Sequence, residues 1–335
     1  MSGSNDEHTT GEGPQGTAPA TEAAPEQANP KTAGLERAVR IASVVSLVLL
    51  VGFAAIYFFD RYVGGDAPSP LETSIDELED AVREDPGNPD ARLALAEVYI
   101  ATERYDDALD QAGTVLEQYP DNQGALLILG VAHEASEEPE DAVGVLETFV
   151  DLRKDTEMAH VDTTLEAAYF FLGRSYLALG RVSEAAEAFD SALAISPGDA
   201  DAMHQAGLAR QELGEHDLAL EYFERATTFV PNFVEVYEAM EASYSSVGNR
   251  EQVRYAQAMQ LYAAGQYEAA LSELQEVTEA LPEFAPGFLG LALTYEQVGD
   301  LEGGMAAIRR ALEIEPDYLA AEQTLGRLLQ QQGAS

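Results

Sequence analysis

From Leu71 to the carboxy end, apolar residues recur with a helical period in runs of about 13 to 16 residues parted by short turns. This pattern predicts a string of amphipathic helices. Pro86 and Pro120 stand 34 residues apart, as do Pro197 and Pro231, and Pro282 and Pro316. A proline cannot continue the helix before it, so each marks a unit boundary. A fixed period of this size signals supersecondary units stacked one on the next.

Small residues keep the same register. Ala96, Gly130, Gly173, Gly207, Ala292 and Gly326 share the eighth position of the unit, and Ala108, Ala142, Ala185, Ala219, Ala270 and Gly304 the twentieth. Small side chains at both places let the two helices of a hairpin approach closely. Tyr99, Tyr176, Tyr244 and Tyr295 recur at the eleventh position and fill the space between hairpins. Gly180, Gly214, Gly248, Gly265 and Gly299 stand where a first helix ends, a place that calls for a left-handed residue.

Two departures interrupt the period. Between Pro120 and Pro197 lie two units and nine further residues, which fall near Glu157–Leu165, ahead of an expected capping box at Thr163 and Glu166. Between Pro231 and Pro282 lies one unit and a half, predicting three helices at about 234–247, 251–264 and 267–281. Glu241 and Val253 stand where small residues belong. An odd helix reverses the sense of stacking, so a break in the array is expected near residues 245–252.

These offsets resemble those of the tetratricopeptide repeat family over about residues 71–331. The stretch Tyr169–Pro197 carries the likeness most fully, through Tyr169, Leu172, Gly173, Tyr176, Ala185, Phe189, Ala192 and Pro197. The resemblance implies an all-α, right-handed solenoid of helical hairpins whose concave groove binds peptide segments or partner domains. It further implies that the fifth, ninth and twelfth residues of each first helix line that groove. Those places hold Leu93, Glu97 and Ile100; Leu127, Val131 and Glu134; Phe170, Arg174 and Leu177; and His204, Leu208 and Gln211. Phe170, Leu177 and Leu208 form the expected centre of an apolar stripe, the alternative being that the inner curve or the 157–165 insertion covers it. Co-chaperone repeats that clamp a terminal carboxylate resemble one another in groove Lys and Asn residues. Here those places hold Leu, Ala, Glu and Val, and only Arg174 is basic.

Ahead of the repeats the pattern changes. Residues 1–34 are rich in Gly, Pro, Ser, Thr, Ala and Glu without periodicity and read as a disordered acidic tail. Ile41–Phe59 is an uncharged run, long enough at about 1.5 Å per residue to span a bilayer, and Tyr57 and Tyr62 bracket its outer end. Residues 35–64 are thus expected to form a single-pass anchor, with 65–70 a linker. Some 40 residues precede the run, more than a cleaved signal peptide carries. Lys31, Arg37 and Arg40 flank its amino side and only Arg61 its carboxy side. That bias predicts a cytoplasmic amino terminus and an extracytoplasmic repeat domain at the plasma membrane. The repeat region divides in expectation into residues 71–248 and 249–335, the latter ending in a capping helix.

Charge and composition narrow the function. The chain holds 60 acidic and 18 basic residues, a formal net charge of −42. Such a field repels nucleic-acid phosphate and suits basic or extended protein segments as partners. Only Lys31 and Lys154 are lysines, a balance that a salt-rich habitat or a GC-rich genome would each produce. No cysteine is present, which removes disulfides, thiolate metal sites and cysteine nucleophiles. His8, His133, His160, His204 and His216 show no one-turn pairing, and phosphate-loop and nucleophile-elbow patterns are absent. No catalysis, metal, cofactor or small-molecule substrate is expected. The reading is an anchored scaffold for a standing membrane or envelope complex. The alternatives are an anchored assembly chaperone for translocated or maturing proteins, or the same solenoid on the cytoplasmic side.

Overall fold

The computed structural model describes residues 70–334, and in them the expected helices form an all-helical array of fifteen, without strands. They are α1 (Pro70–Glu84), α2 (Pro89–Ala101), α3 (Tyr105–Gln118), α4 (Gln123–Ala135), α5 (Pro139–Arg153), α6 (Thr163–Ala178), α7 (Val182–Ile195) and α8 (Ala200–Glu212). There follow α9 (His216–Phe229), α10 (Val234–Ser246), α11 (Arg250–Ala263), α12 (Tyr267–Ala280), α13 (Ala285–Val298), α14 (Leu301–Ile314) and α15 (Leu319–Ala334). The expected anchor at 35–64, the tail at 1–34 and the linker to Ser69 lie outside the described residues. Among the described residues no helix is long and apolar enough to cross a membrane.

The register of small residues has a plain steric cause. A Cβ added at Gly173 would lie 2.7 Å from the ring of Phe189, and one at Gly207 would lie 2.3 Å from that of Phe223. At Gly130 it would meet Leu146 at 2.4 Å. Phe189, Phe223 and Leu146 are all fully buried. The first helix of a hairpin therefore has no room for a side chain where the large residue of the second lies across it. All five predicted glycines adopt positive φ, from 68° to 80°. Glu103 and Glu137 hold the same conformation at 59° and 60°, which an acidic residue does not announce.

Caps differ between the two halves. Asn88, Asn122 and Asp199, each close behind a boundary proline, accept backbone N–H bonds from the helices they precede. From Pro231 onward aromatic residues take that place: Phe233 and Phe284 cap nothing with their side chains and pack instead, Phe233 on His204 and Phe284 on Tyr255. The capping box expected at Thr163 is absent. Asp162 caps α6, accepting from Thr164 N at 3.0 Å and Leu165 N at 3.2 Å. A carboxylate that Arg153 also holds at 2.6 Å outcompetes the adjacent hydroxyl.

The half-repeat changes the side of the array rather than its continuity. Touching alternate helices are α2 with α4, α4 with α6, α6 with α8 and α8 with α10. These helices therefore line the crowded, inner side of a first arc. From α11 the role passes to odd numbers, α11 touching α13 and α13 touching α15. α11 thus serves as second helix to α10 and as first helix to α12. Across residues 245–252 one hydrophobic core continues from Leu126 to Leu328, with Met240, Tyr244, Tyr255 and Met259 buried across the junction. Glu241, out of place by sequence, is satisfied there by Gln257 Nε2 at 2.7 Å and Gln260 Nε2 at 2.8 Å.

Candidate functional site

The ten residues expected to line a groove stand on α2, α4, α6 and α8, the helices of the crowded side of the first arc. Leu93, Ile100, Leu127, Val131, Phe170, Leu177, His204, Leu208 and Gln211 are half-buried, and Arg174 is exposed. None is sealed within the core, and none of the apolar ones is fully free. Leu93 leans on the start of α4, within 3.0 Å of where a Cβ on Gly124 would stand. The Phe170 ring meets Phe189 edge-on at 5.8 Å and Phe171 at 5.7 Å, so one face of it belongs to the core. The 157–165 insertion forms a short 3-10 turn, Ala159–Val161, that rests on the outer helix α7 with Met158 64% exposed. It therefore leaves the inner stripe open.

The polar members of the set already have partners. Arg174 Nη2 pairs with Glu134 Oε1 at 2.9 Å, joining α6 to α4. Burial nonetheless raises the Glu134 carboxyl above its ordinary range, outweighing the attraction of Arg174. Gln211 Nε2 donates to Ala239 O and to Ser243 Oγ, both at 2.8 Å, tying α8 to α10. His204 stacks against Phe233 at 5.1 Å and Phe223 at 6.2 Å, and burial holds its pKa below the usual histidine value. These three side chains stitch neighbouring hairpins together. Leu127, Val131, Phe170, Leu177 and Leu208 remain between them as a half-open apolar band in an acidic protein.

Two carboxyl arrangements escaped the sequence pattern. Glu166, in the first turn of α6, meets Asp199, the cap of α8; burial, and then the Asp199 charge and hydrogen bond, push Glu166 up to about 7. His133, which sequence spacing pairs with no other histidine, contacts Glu138 through Nδ1 at 2.7 Å. Asp141 lies close enough that the three could meet around one ion, but both carboxylates are solvent-exposed. The first pairs the starts of α6 and α8 in successive hairpins, and the second pairs residues across the turn between α4 and α5.

Comparison with known proteins agrees with this architecture. Residues 71–118, 166–199, 200–232 and 255–318 each match a family described as tetratricopeptide repeat, and together they cover just over half of the chain. A tetratricopeptide repeat and J domain-containing co-chaperone of Fusarium oxysporum f. sp. lycopersici is 29% identical over 181 residues, 47% of this chain. Cellulose synthase 1 operon protein C of Komagataeibacter xylinus is 29% identical over 161 residues, 48% of this chain. The matches span 35% and 12% of those two proteins. Among solved structures, that of MamA protein is 26% identical, covering 58% of this chain and 94% of its own, with a TM-score of 0.45. With the 34-residue period, the small-residue register and four matched segments in agreement, the chain is a tetratricopeptide repeat protein, an all-helical scaffold for protein–protein contacts.

Proposed function

We propose that this protein is a membrane-anchored scaffold whose first arc holds an extended, basic and apolar segment of a partner at the extracytoplasmic face, supporting assembly of a membrane or envelope complex. The observation that carries the reading is the half-open stripe on α4, α6 and α8, apolar where the rest of the surface is strongly acidic. A segment with alternating aliphatic and basic side chains would cover the stripe and meet the surrounding carboxylates. The protein performs no catalysis of its own in this reading, and its polar groove residues hold the hairpins in register. Ile41–Phe59 supplies the anchor, and the three-to-one excess of positive charge on its amino side sets the orientation.

Direct titration tests the groove. Labelled peptides of basic–apolar and acidic–apolar sequence are compared by fluorescence anisotropy against the wild type and the double variant Leu177→Ser, Leu208→Ser. The basic peptide should bind more tightly, lose affinity with salt, and bind the variant about tenfold or more weakly. Equal binding of both peptides, or an unaffected variant, removes the proposal. Protease treatment of intact cells checks orientation: the repeat domain should be cleaved without lysis.

A second reading rests on the co-chaperone similarity, in which the same groove holds many clients briefly. Stoichiometric copurification of one partner favours the standing scaffold, and many partners in low yield favour the chaperone.

A further inference from the structure

The carboxy-terminal end of the chain returns to the array at one place. α9, an outer helix of the first arc, touches α15, the last helix of the second. Between them lies a cavity of about 440 Å3, lined on one side by Glu221, Glu224 and Phe229 and on the other by Glu315, Asp317 and Tyr318. Carboxylates thus face one another across this contact, with Arg225 also among the lining residues.

Glu224 is the deepest of these carboxylates. On its own helix Glu221 and Arg225 flank it. From α10, the Tyr244 hydroxyl bonds to it, and Tyr237 lies in the same cluster. From α11 comes Tyr255, and from the turn before α15 come Glu315, Asp317 and Tyr318. Burial and the Glu315 and Glu221 charges push the Glu224 carboxyl up to about 7, against the opposing Tyr244 hydrogen bond. The second arc's inner side faces the chain itself. The Pro231–Asn232 turn stands across a cavity of about 320 Å3 from Tyr262, Leu293, Glu296 and Arg327.

We propose that the α9–α15 contact is a pH-sensitive latch: while the Glu224 carboxyl carries a proton the terminal helix α15 closes on α9, and once ionised it drives α15 off through Glu315. The direction follows from linkage. In the closed form the proton is held up to about pH 7, whereas in the open form the Glu315 charge and the cover of α15 are gone and the carboxyl falls toward its ordinary range. Closure is therefore most favoured at acidic pH, weakens as pH rises through the interval, and is weakest above 7. Each unit by which the carboxyl falls on opening corresponds to a tenfold rise in the opening constant.

Amide hydrogen exchange of the full-length chain, corrected for the intrinsic pH dependence of exchange, reads the latch directly. Protection of residues 315–331 should fall about tenfold or more between pH 5 and pH 8 relative to α4. Glu224→Gln should remain protected at both values. Glu315→Gln, which keeps Glu224 but removes the charge it faces, should shrink the fall severalfold. A wild type whose 315–331 protection tracks α4 at both pH values would overturn the latch, as would an unchanged fall in Glu224→Gln. Should Glu224→Gln fail to fold, an undiminished fall in Glu315→Gln overturns it equally.

Discussion

Replacing Gly207 with alanine should destabilise the first arc, whereas the same change at Gly326, the equivalent position in α15, should stabilise the chain. The two differ in one respect. At Gly207 the new methyl would stand 2.3, 2.7 and 2.9 Å from three atoms of the fully buried Phe223 ring, and at Gly326 nothing lies within 4 Å. Forcing an extra carbon into a packed interior costs about 1–3 kcal/mol. Alanine in place of glycine within a helix returns about 1 kcal/mol at either site. Gly207→Ala should therefore lose up to about 2 kcal/mol and Gly326→Ala gain about 1, a separation of about 1–3. Urea unfolding followed by far-ultraviolet circular dichroism measures both, as midpoint shifts at unchanged slope. A displaced Phe223 also moves α8, which carries His204, Leu208 and Gln211, so peptide affinity in the groove should fall with stability. Equal effects at the two positions would refute the view that close approach of paired helices requires the small eighth residue.

Glu166→Gln should flatten the pH dependence of stability. The folded carboxyl titrates near 7 against an ordinary 4.5, so the stability linked to its proton is present below about 4.5 and lost as pH rises through 7. Urea midpoints at pH 5 and pH 8 should thus differ less in the variant than in the wild type. Glu103→Gly, at a left-handed residue, should raise stability by about 1 kcal/mol, measured in the same way. Added salt should raise the melting temperature of a fragment beginning near residue 68, because self-repulsion among its acids is screened as the Debye length shrinks from about 30 to about 3 Å between 0.01 and 1 M. A flat or falling melting temperature would mean that local pairs such as Arg254 with Glu273 and Glu276 already compensate the charge.

Which helix carries each candidate residue was legible in the sequence, but what already engages that residue was not. The ten candidates stand on α2, α4, α6 and α8 because the repeat period fixes which helix each belongs to, and an amphipathic helix fixes which residues share a face. Arg174, His204 and Gln211 are engaged by Glu134, Phe233 and Ser243, partners that stand in other helices and that no spacing along the chain reveals.

The sequence by itself determined the features that depend on a few neighbouring residues. Helix limits followed from Pro86, Pro120, Pro197, Pro231, Pro282 and Pro316, and the left-handed turns from Gly180, Gly214, Gly248, Gly265 and Gly299. The extra helix at 250–263 was present in the count of residues between two prolines. What that helix does was decided only in three dimensions. It passes the inner role to α11, α13 and α15 and brings α15 onto α9. The Glu224 cluster, the Glu166–Asp199 pair and the cap at Asp162 arise in the same way. The physical reason is range: helix periodicity and turn chemistry act over a few residues, whereas burial and the field of neighbouring charges depend on which helices the packed array brings together.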